Sequence, residues 1–420
     1  MNIAPAIKAL HKDMTEWRHL LHQNPGTKYE EHFAARLVAD KLTEWGIPFE
    51  SGIAETGIVA TIRGKGNGSG KTIGLRADMD ALDIAEQSGQ PWASKIPGKM
   101  HGCGHDGHTA ALLGAAKYFN DTRDFDGTIH LIFQPAEEGG RGADRMIEEG
   151  LFERFPCDEV YAIHNWPGAK LGQALVSAGP VMASVDRYSI KVQGVSGHPG
   201  FPDSVINPVF VAARITTAIE ELMNKHRAQG AQVSFHPGVS KSSSDGSNVV
   251  GENVTISGTV RTFDEKVREE VENAFREICD LIPASYVIGE GKNTQTASAD
   301  IDYKRGTDVT NNAELQAQFA AAALQKVFGK DNVLPFHPVL GGEDFSTMAR
   351  HVPGAYIAVG QKTSDPKSPH SQGLHNPGYD FNDEILPIAV QYYAALVEGR
   401  LPLDPAKELT PAVLPEASVG

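Results

Sequence analysis

The sequence predicts an α/β protein with a mostly parallel sheet that carries helices on both faces, plus an inserted ferredoxin-like α+β lid domain. Strands and helices alternate to about residue 183, the rhythm changes between 184 and 305, and the first rhythm resumes at 306. We therefore predict a discontinuous catalytic domain of residues 1–183 and 306–402 and a lid and dimerisation domain of residues 184–305. The proline-containing residues 403–420 are predicted to be a weakly ordered tail.

The composition is that of a soluble globular protein without nucleic-acid or membrane partners. The 420 residues are 40% hydrophobic and 22% charged, and the net charge is −15 without any block of Lys or Arg. Cys103, Cys157 and Cys279 are too few and too scattered for a disulfide framework. No signal-peptide pattern and no run of about 18 apolar residues is visible. A cytoplasmic location, which keeps Cys103 reduced, is the expectation.

Periodicity predicts the elements of the first domain. Apolar residues recur at helical spacing from about 5 to 45, with a break at 24–26. Strands are predicted at 57–63, 72–78, 127–133 and 159–164, and helices over 109–119 and 141–149. After the insertion, helix 313–328, strand 355–359 and helix 383–398 resume the alternation. Buried strands separated by helices are typical of a parallel sheet covered on both faces.

The inserted segment has a different order. The sequence predicts a strand at 187–193, a helix at 207–227, strands at 231–239 and 253–263, a helix at 264–281 and a strand at 297–303. The Gly/Ser-rich runs 240–247 and 289–294 are interpreted as loops within this domain. The resulting β-α-β-β-α-β order predicts the ferredoxin-like lid.

The stretch 100–108 contains the highest concentration of side chains that could bind a metal ion or take part in catalysis. It contains three His, one Cys, one Asp and three Gly immediately before a predicted buried helix. Thiolate and imidazole ligands suit Zn²⁺ and similar cations, and Cys103 and His105 are close enough in sequence to bind one ion. The alternative is that these His side chains only cap the helix and hydrogen-bond the loop.

Four polar groups follow the carboxyl ends of predicted strands. They are Asp78, the Cys103 loop, the pair Glu137 and Glu138, and His164. Ligands bind at that edge of an open parallel sheet, so the convergence favours a metal site. Adjacent carboxylates usually point in different directions, so one Glu can bind a cation while the other acts as a base. Taken alone, the Glu pair would be interpreted as a solvated loop.

The part of the catalytic domain that follows the insertion should supply a further His ligand. His375 is the best candidate, because Leu374 and Pro377 around it predict a packed loop. Eight other histidines do not lie near other candidate ligands in the predicted fold and are interpreted as surface or capping residues: His19, His22, His32, His226, His236, His337, His351 and His370.

Together these motifs resemble the metallopeptidase-type amidohydrolases that include hippurate hydrolase, N-acyl-amino-acid amidohydrolases and auxin-conjugate hydrolases. The matching stretches run in the family's order from about residue 15 to 400, and they are 74–82, 101–108, 134–139, 164–167, 197–198, Asn248, 258–263, 342–345 and 374–377. The resemblance implies hydrolysis of N-acyl amino acids to a carboxylic acid and a free amino acid.

The resemblance also implies two divalent metal ions per subunit, with Zn, Mn, Co and Ni as candidates. Its ligand set is a bridging Cys103 thiolate together with His105, Glu138, His164 and His375. Glu137 matches the catalytic base and Asp78 the carboxylate that orients the site. Relatives with a His-based first motif have a metal-binding His where this chain has Arg76, and Cys103 is expected to compensate.

The lid residues are matched less closely. Arg261, with Asn248, is expected to bind the α-carboxylate of the leaving amino acid, and the alternative is an Arg paired across the lid sheet. The resemblance implies that His198 crosses the interface of a homodimer, or of a dimer of dimers, and donates a hydrogen bond to the oxyanion in the partner subunit. The alternative for His198 is a turn cap. Residues 198–203 and Gly251 depart from the family pattern, so acyl preference stays open.

Two other functions are compatible with the sequence. One is a dipeptidase or carboxypeptidase of the same superfamily, although no motif identifies an acidic group that would bind a free ammonium. The other is a non-catalytic binding protein that keeps the fold, and an intact Glu137 with a complete ligand set argues against it.

Overall fold

The computed structural model describes residues 1–66 and 68–415, which fold into two compact units. The first comprises Met1–Val181, Thr310–His337 and the chain from Asp344 onward, and the second comprises Met182–Val309 with Pro338–Glu343. No helix in this described part of the chain is long and apolar enough to cross a membrane.

The first unit begins with helices that precede and flank the central strands. Its helices before the insertion are α1 (Pro5–Ala9), α2 (His11–Gln23), α3 (His32–Glu44), α4 (His105–Thr122), α5 (Glu137–Gly140), α6 (Gly142–Glu148) and α7 (Leu151–Arg154). Its strands in the same part of the chain are β1 (Phe49–Ile53), β2 (Gly57–Arg63), β3 (Thr72–Asp78), β4 (Thr128–Gln134), β5 (Glu159–Lys170), β6 (Ala174–Leu175) and β7 (Gly179–Met182).

The second unit contains a complete small domain. Its elements are β8 (Ser184–Gln193), α8 (Pro208–Ala228), β9 (Val233–Ser242), β10 (Asn253–Thr262), α9 (Glu265–Ala284), β11 (Val287–Ile288), β12 (Gln295–Thr296) and β13 (Ser298–Thr307). Its main sheet has the order β13-β8-β10-β9 with every pair antiparallel. The two long helices bury Val211, Ile215, Val271 and Phe275 in one core with this sheet. This arrangement is the predicted ferredoxin-like order.

The chain then returns to the first unit. The returning elements are β14 (Thr310–Asn312), α10 (Glu314–Phe328), β15 (Val333–Leu334), α11 (Phe345–His351), β16 (Gly354–Lys362) and α12 (Ile385–Arg400). Short 3-10 helices lie at Pro202–Ser204, Gly291–Asn293, Lys330–Asn332, Pro369–Ser371 and Pro405–Lys407.

The central sheet has the order β1-β2-β4-β3-β5-β16-β6-β15. The four central strands β4, β3, β5 and β16 are parallel, whereas β1–β2, β2–β4 and β16–β6 are antiparallel. Apolar residues of α2, α4, α10 and α12 share one core with these strands. The predicted class, a mostly parallel sheet with an inserted lid domain, is confirmed.

Three of the local expectations that differ from the structure concern a strand end, a domain boundary and the tail. β5 continues to Lys170 instead of ending at His164, because β16 pairs with it over that length. Residues 306–309 and 338–343, assigned by sequence to the catalytic domain, belong to the second unit. In that unit Ala183 N–H donates to the carbonyl oxygens of Val339 and Gly341.

The third difference concerns the predicted tail. Leu409 is buried in the core of the first unit, and its N–H donates to the carbonyl oxygen of Gly399 at 2.6 Å. Ala412 N–H donates in the same way to Gln318. Leu409 thus packs in the core, and residues 403–415 of the predicted tail are ordered. Residues 416–420 of that segment lie outside the described residues.

Candidate metal centre

The candidate site lies at the carboxyl edge of three adjacent parallel strands. β3 ends at Asp78, and β4 ends at Gln134, just before the Glu137–Glu138 turn. The pairing of β3 with β5 ends at Arg76 opposite Ala162, so His164 lies two residues beyond the part of β5 that pairs with β3. It therefore lies level with Asp78 although β5 itself continues.

The loop before α4 depends on Gly104. Gly104 has φ +99°, and a Cβ atom there would lie 2.3 Å from Asn165 Oδ1 and 2.7 Å from the Tyr379 hydroxyl oxygen. Only glycine fits this close approach and this backbone conformation. Cys103 precedes the turn and His105 begins α4, and both side chains are buried.

Cys103 faces His164 across the site. The Cys103 Sγ atom lies 3.5 Å from His164 Nε2. His164 Nδ1–H donates to the carbonyl oxygen of Asn165 at 2.6 Å, which fixes the tautomer whose Nε2 carries a lone pair. Burial lowers the pKa of His164 and keeps the imidazole neutral. These are the requirements for a histidine ligand to a cation.

The Cys103 thiol is in an environment that opposes its ionisation. Burial first, and then the carboxylates of Glu138, Glu137 and Asp78, raise the pKa of Cys103 well above its usual range. A bound cation would reverse this effect, because a coordinating thiol is deprotonated by the charge of the ion.

His105 has one ring nitrogen that the protein leaves without a hydrogen bond. His105 Nδ1 lies 3.2 Å from Asp80 Oδ1, whereas the buried Nε2 has no hydrogen-bond partner among the described residues. Burial alone lowers the pKa of His105, but Asp78 and Asp80 outweigh it and raise that pKa to about 10. A bound divalent cation would supply the positive charge that these carboxylates favour and would displace the Nε2 proton, so this unsatisfied buried nitrogen is a candidate ligand.

The Glu137–Glu138 turn brings two carboxylates to the same place. Asp80 Oδ2 accepts the N–H of Glu138 at 2.8 Å, and Glu138 Oε1 lies 2.9 Å from His375 Nε2. Ligand atoms lie within 4.8 Å of one another in each of three groups: Cys103–His105–His164, Cys103–Glu138–His375 and His105–Glu137–Glu138. The structure thus brings together all five residues that the resemblance gives as ligands, with Glu137 beside them.

His375 differs from its expectation in one respect. Leu374 packs against the core as expected, but about half of the His375 side chain is exposed. Its backbone has φ +64°, and its N–H donates to the carbonyl oxygen of Gly102 at 2.8 Å. The left-handed turn lifts the imidazole out of the packed loop, so the prediction of a packed environment is wrong for His375 itself.

Asp78 is the centre of a buried network behind these groups. It accepts from Arg76 Nη1 at 2.7 Å and lies 2.6 Å from His108 Nδ1. His108 Nε2 in turn lies 2.8 Å from Asn165 Oδ1. His105 and Arg76, acting against burial, lower the pKa of Asp78 well below its usual range and keep it ionised. The position fits an orienting carboxylate, which is the role that the resemblance implies.

Sequence reasoning assigned no role to Asp80, His108 or Asn165. Sequence spacing could have indicated Asp80, since it follows Asp78 by two residues just after a strand. It could also have indicated His108, which follows His105 by three residues on a helix and therefore lies on the same face. The contact of Asn165 with His108 spans 57 residues of sequence and carries no local signal.

The interpretation of His22 as a surface or capping residue is wrong. His22 is fully buried, with Nδ1 2.7 Å from Asp106 Oδ2 and Nε2 3.1 Å from Glu86 Oε1. Arg18, one helical turn earlier on α2, is buried beside it and donates to Asp380 at 2.7 Å. The polar face of α2 thus packs against α4, which periodicity of apolar residues does not reveal. His226 is also buried, in the second unit.

The three lid residues belong to the second unit. His198 and Asn248 are exposed, and Arg261 is partly exposed. Gly200 N–H donates to His198 Nδ1 at 3.0 Å, and Arg261 Nη1 donates to the carbonyl oxygen of Leu340 at 2.6 Å. No carboxylate of the described chain forms an ion pair with Arg261, so the expected alternative of a cross-sheet pair is not observed.

The two-unit α/β fold and the ligand cluster at its sheet edge define a class of metal-binding hydrolases. The chain belongs to peptidase family M20/M25/M40, whose sequence pattern matches residues 74–399. It is a hydrolase of this family, and the predicted relationship to amidohydrolases is confirmed.

Curated relatives are similar over almost the whole chain. A hippurate hydrolase from Campylobacter jejuni is 36% identical, covering 94% of this chain and 98% of its own length. An N-acetyl-L-cysteine deacetylase from Bacillus subtilis is 33% identical, with coverages of 92% and 88%. A thermostable carboxypeptidase from Saccharolobus solfataricus is also 33% identical, with coverages of 94% and 98%.

Solved structures have the same fold. A dinuclear metal-binding peptidase of the M20 family from Bacillus subtilis has a TM-score of 0.78 at 30% identity, covering 94% of this chain and 99% of its own. A putative aminohydrolase from Staphylococcus aureus has a TM-score of 0.85 at 26% identity, with coverages of 94% and 98%.

Proposed function

We propose that this protein is a dinuclear metal-dependent amidohydrolase that cleaves N-acyl amino acids to a carboxylic acid and a free amino acid. The observation that carries this proposal is the buried cluster of Cys103, His105 and His164 beside Glu137 and Glu138, in which His105 Nε2 has no hydrogen-bond partner in the described chain. The similarity to a hippurate hydrolase and to a dinuclear metal-binding peptidase supports it.

The chain's own donors fit two cations. Cys103 belongs to two of the ligand groups, one with His105 and His164 and one with Glu138 and His375, so its sulfur suits a bridging position. Zn, Mn, Co and Ni are the candidate cations: thiolate and imidazole ligands suit Zn, imidazole suits Ni, and carboxylates suit Mn. When bound, the cations would polarise the amide carbonyl and lower the pKa of a water molecule.

Glu137 is proposed as the general base. Its carboxylate takes a proton from the attacking water molecule and later passes it to the nitrogen of the leaving amine. The second step is needed because an amide nitrogen leaves poorly unless it is protonated. Glu138, whose N–H is held by Asp80 and whose Oε1 lies 2.9 Å from His375, is proposed as a ligand instead.

Arg261 and Asn248 are proposed to bind the α-carboxylate of the substrate. The Arg261 guanidinium uses one N–H for the carbonyl oxygen of Leu340, and the rest of its donor fork has no carboxylate of the described chain as a partner. Burial lowers the pKa of Arg261, and an anionic ligand would offset this cost. A planar fork of donors suits bidentate recognition of a carboxylate.

His198 is proposed to act in the partner subunit of a lid-mediated homodimer. Gly200 N–H donates to Nδ1, so the neutral imidazole carries its proton on Nε2. The contact therefore caps a turn, which was the alternative role predicted for His198. It also leaves the Nε2–H group as an exposed donor. Such a donor is what an oxyanion needs.

A carboxypeptidase is the second candidate function. The 33% identity to a carboxypeptidase over nearly the full chain favours it, and both reactions release an amino acid that has a free α-carboxylate. A panel of hippurate, N-acetyl-amino acids, longer peptides and dipeptides separates the two activities. The metal-reconstituted protein should release amino acids fastest from the N-acyl substrates.

Two variants control this panel. Glu137→Gln should remove activity on every productive substrate, whereas Glu148→Gln, an exposed residue of α6, should not change it. Preference for peptides with a free N-terminus would contradict the proposed substrate class, and no turnover of any amide would contradict the enzyme itself.

A further inference from the structure

A buried carboxylate outside the ligand set holds the turn that carries Glu137 and Glu138. Glu31 is fully buried, and its Oε1 accepts the N–H of Ala136 at 3.0 Å. Oε1 also accepts the N–H of Tyr29 at 2.9 Å, and Oε2 accepts the Thr56 hydroxyl at 2.6 Å. A buried carboxylate persists where several donors satisfy it, so these contacts fix the position of Glu31.

Ala136 is a position where such support matters. It has φ +53° and ψ +40°, a left-handed conformation that a residue with a Cβ atom adopts at a cost. The next two residues are Glu137 and Glu138, so the backbone direction at Ala136 sets where both carboxylates point. A hydrogen bond from Ala136 N–H to a fixed acceptor stabilises that direction.

Tyr29 contacts the other end of the same turn. Its hydroxyl donates to the carbonyl oxygen of Gly140 at 2.8 Å, where α5 ends. We call residues 27–31 the clamp segment, because Glu31 contacts the residue before α5 and Tyr29 contacts its last residue. The segment is itself a tight turn, in which Glu30 N–H donates to Thr27 O at 2.8 Å.

We propose that Glu31, assisted by Tyr29, is a positioning residue that holds the Ala136–Gly140 turn so that Glu137 and Glu138 are placed for catalysis and metal binding. This inference rests on the proposed roles of Glu137 and Glu138. Neither clamp residue needs to contact the substrate, since each acts through the backbone of the turn.

The first test compares Glu31→Ala with Glu30→Ala. Glu30 is the adjacent residue and has an exposed side chain that pairs with Lys99, so it is a matched control. Glu31→Ala should lower kcat by about 10²-fold with a much smaller change in KM, because small misplacements of catalytic groups cost that much. Glu30→Ala should match the wild type.

A second readout does not depend on activity. Hydrogen–deuterium exchange of a peptide covering residues 134–141 should be faster in metal-free Glu31→Ala than in metal-free wild type. Tyr29→Phe, which removes only the hydroxyl, should also speed this exchange and lower kcat by about fivefold. Glu31→Gln keeps an acceptor for Ala136 N–H and should remain near the wild type.

Rescue separates positioning from general stability. Glycine adopts positive φ readily, so adding Ala136→Gly to Glu31→Ala should restore at least about tenfold of the lost kcat while any loss of melting temperature persists. Wild-type kcat and exchange in folded Glu31→Ala would overturn the proposal. If that variant does not fold, unchanged kcat and exchange in Tyr29→Phe would overturn it.

These outcomes are distinguishable from failure of the proposed function. If the wild type hydrolyses no amide, the enzymatic proposal fails. The exchange measurements on metal-free protein still decide whether the clamp segment holds the turn.

Discussion

His164 Nδ1–H donates to the main-chain carbonyl oxygen of Asn165, its immediate neighbour, at 2.6 Å. This contact directs the lone pair of His164 Nε2 toward the sulfur atom of Cys103, 3.5 Å away. The backbone of one strand thus selects the tautomer that a histidine ligand of a cation requires.

The two adjacent carboxylates should respond differently to substitution. Glu137→Gln should keep its bound metal but lose about 10²–10⁴-fold in kcat, the usual contribution of general acid–base catalysis. Glu138→Gln should instead lose metal, because its carboxylate lies beside Cys103 and His375. Metal content and kcat measured on both proteins, with Glu148→Gln as the control, check this. The opposite pattern would reverse the assignment.

Arg261 should matter for substrates that have a carboxylate. Arg261→Lys keeps the charge but loses the fork, so kcat/KM for hippurate should fall by about 10- to 100-fold. The matching amide without the carboxylate should be affected much less. Arg187→Lys, at an exposed position of β8, serves as the control. Equal losses on both substrates would indicate that the Leu340 contact is the main role of Arg261.

Stability should depend on pH through His22. Burial alone lowers the pKa of His22, but Asp106 and Glu86 raise it from 6.5 to about 9. A raised pKa favours the protonated form in the folded state. The contribution is therefore fully present below pH 6.5 and is lost as the pH rises to about 9.

Urea unfolding across this pH range checks the prediction. The wild-type free energy of unfolding should fall with a slope of up to about 1.4 kcal/mol per pH unit from this group, and His22→Asn should lack that slope. His32→Asn, an exposed residue of α3, should keep it. An unchanged slope in His22→Asn would show that other groups govern this range.

The sequence predicted the architecture well and the site in part. The alternation of strands and helices predicted the fold of the first unit, and the β-α-β-β-α-β order predicted that of the second. Both predictions were possible because each element has its own periodic pattern of apolar residues. Residues that follow strand ends, such as Asp78 and Glu138, could be placed at one edge by topology alone. Their roles as ligands or bases remain predictions.

The buried polar contacts could not be predicted. His22 meets Asp106 across 84 residues of sequence, and Glu31 meets Ala136 across 105. Such pairs form only when separate helices and turns pack together, and a polar residue on an otherwise polar helix face has no periodic signature. The exposure of His375 was missed for a related reason, since its positive φ is set by the loop and not by its apolar neighbours.

His198 should act in the partner subunit. Mixed dimers of His198→Ala and Glu137→Gln contain one site with an intact Glu137 and the partner's intact His198. Activity should therefore reappear on mixing two inactive proteins, since an oxyanion donor typically contributes about 10²–10³-fold. No recovery after demonstrated subunit exchange would show that His198 serves its own chain or has no catalytic role.

Metal dependence of amide hydrolysis is the most direct measure of this protein's function. The measurement is amino acid release from hippurate by chelated protein and by protein reconstituted with Zn²⁺, Mn²⁺ or Co²⁺, for the wild type and for Cys103→Ala. The wild type should lose turnover on chelation and regain it with at least one cation, while Cys103→Ala should bind less metal and stay nearly inactive. Full activity of metal-free Cys103→Ala protein would contradict the proposed metal centre.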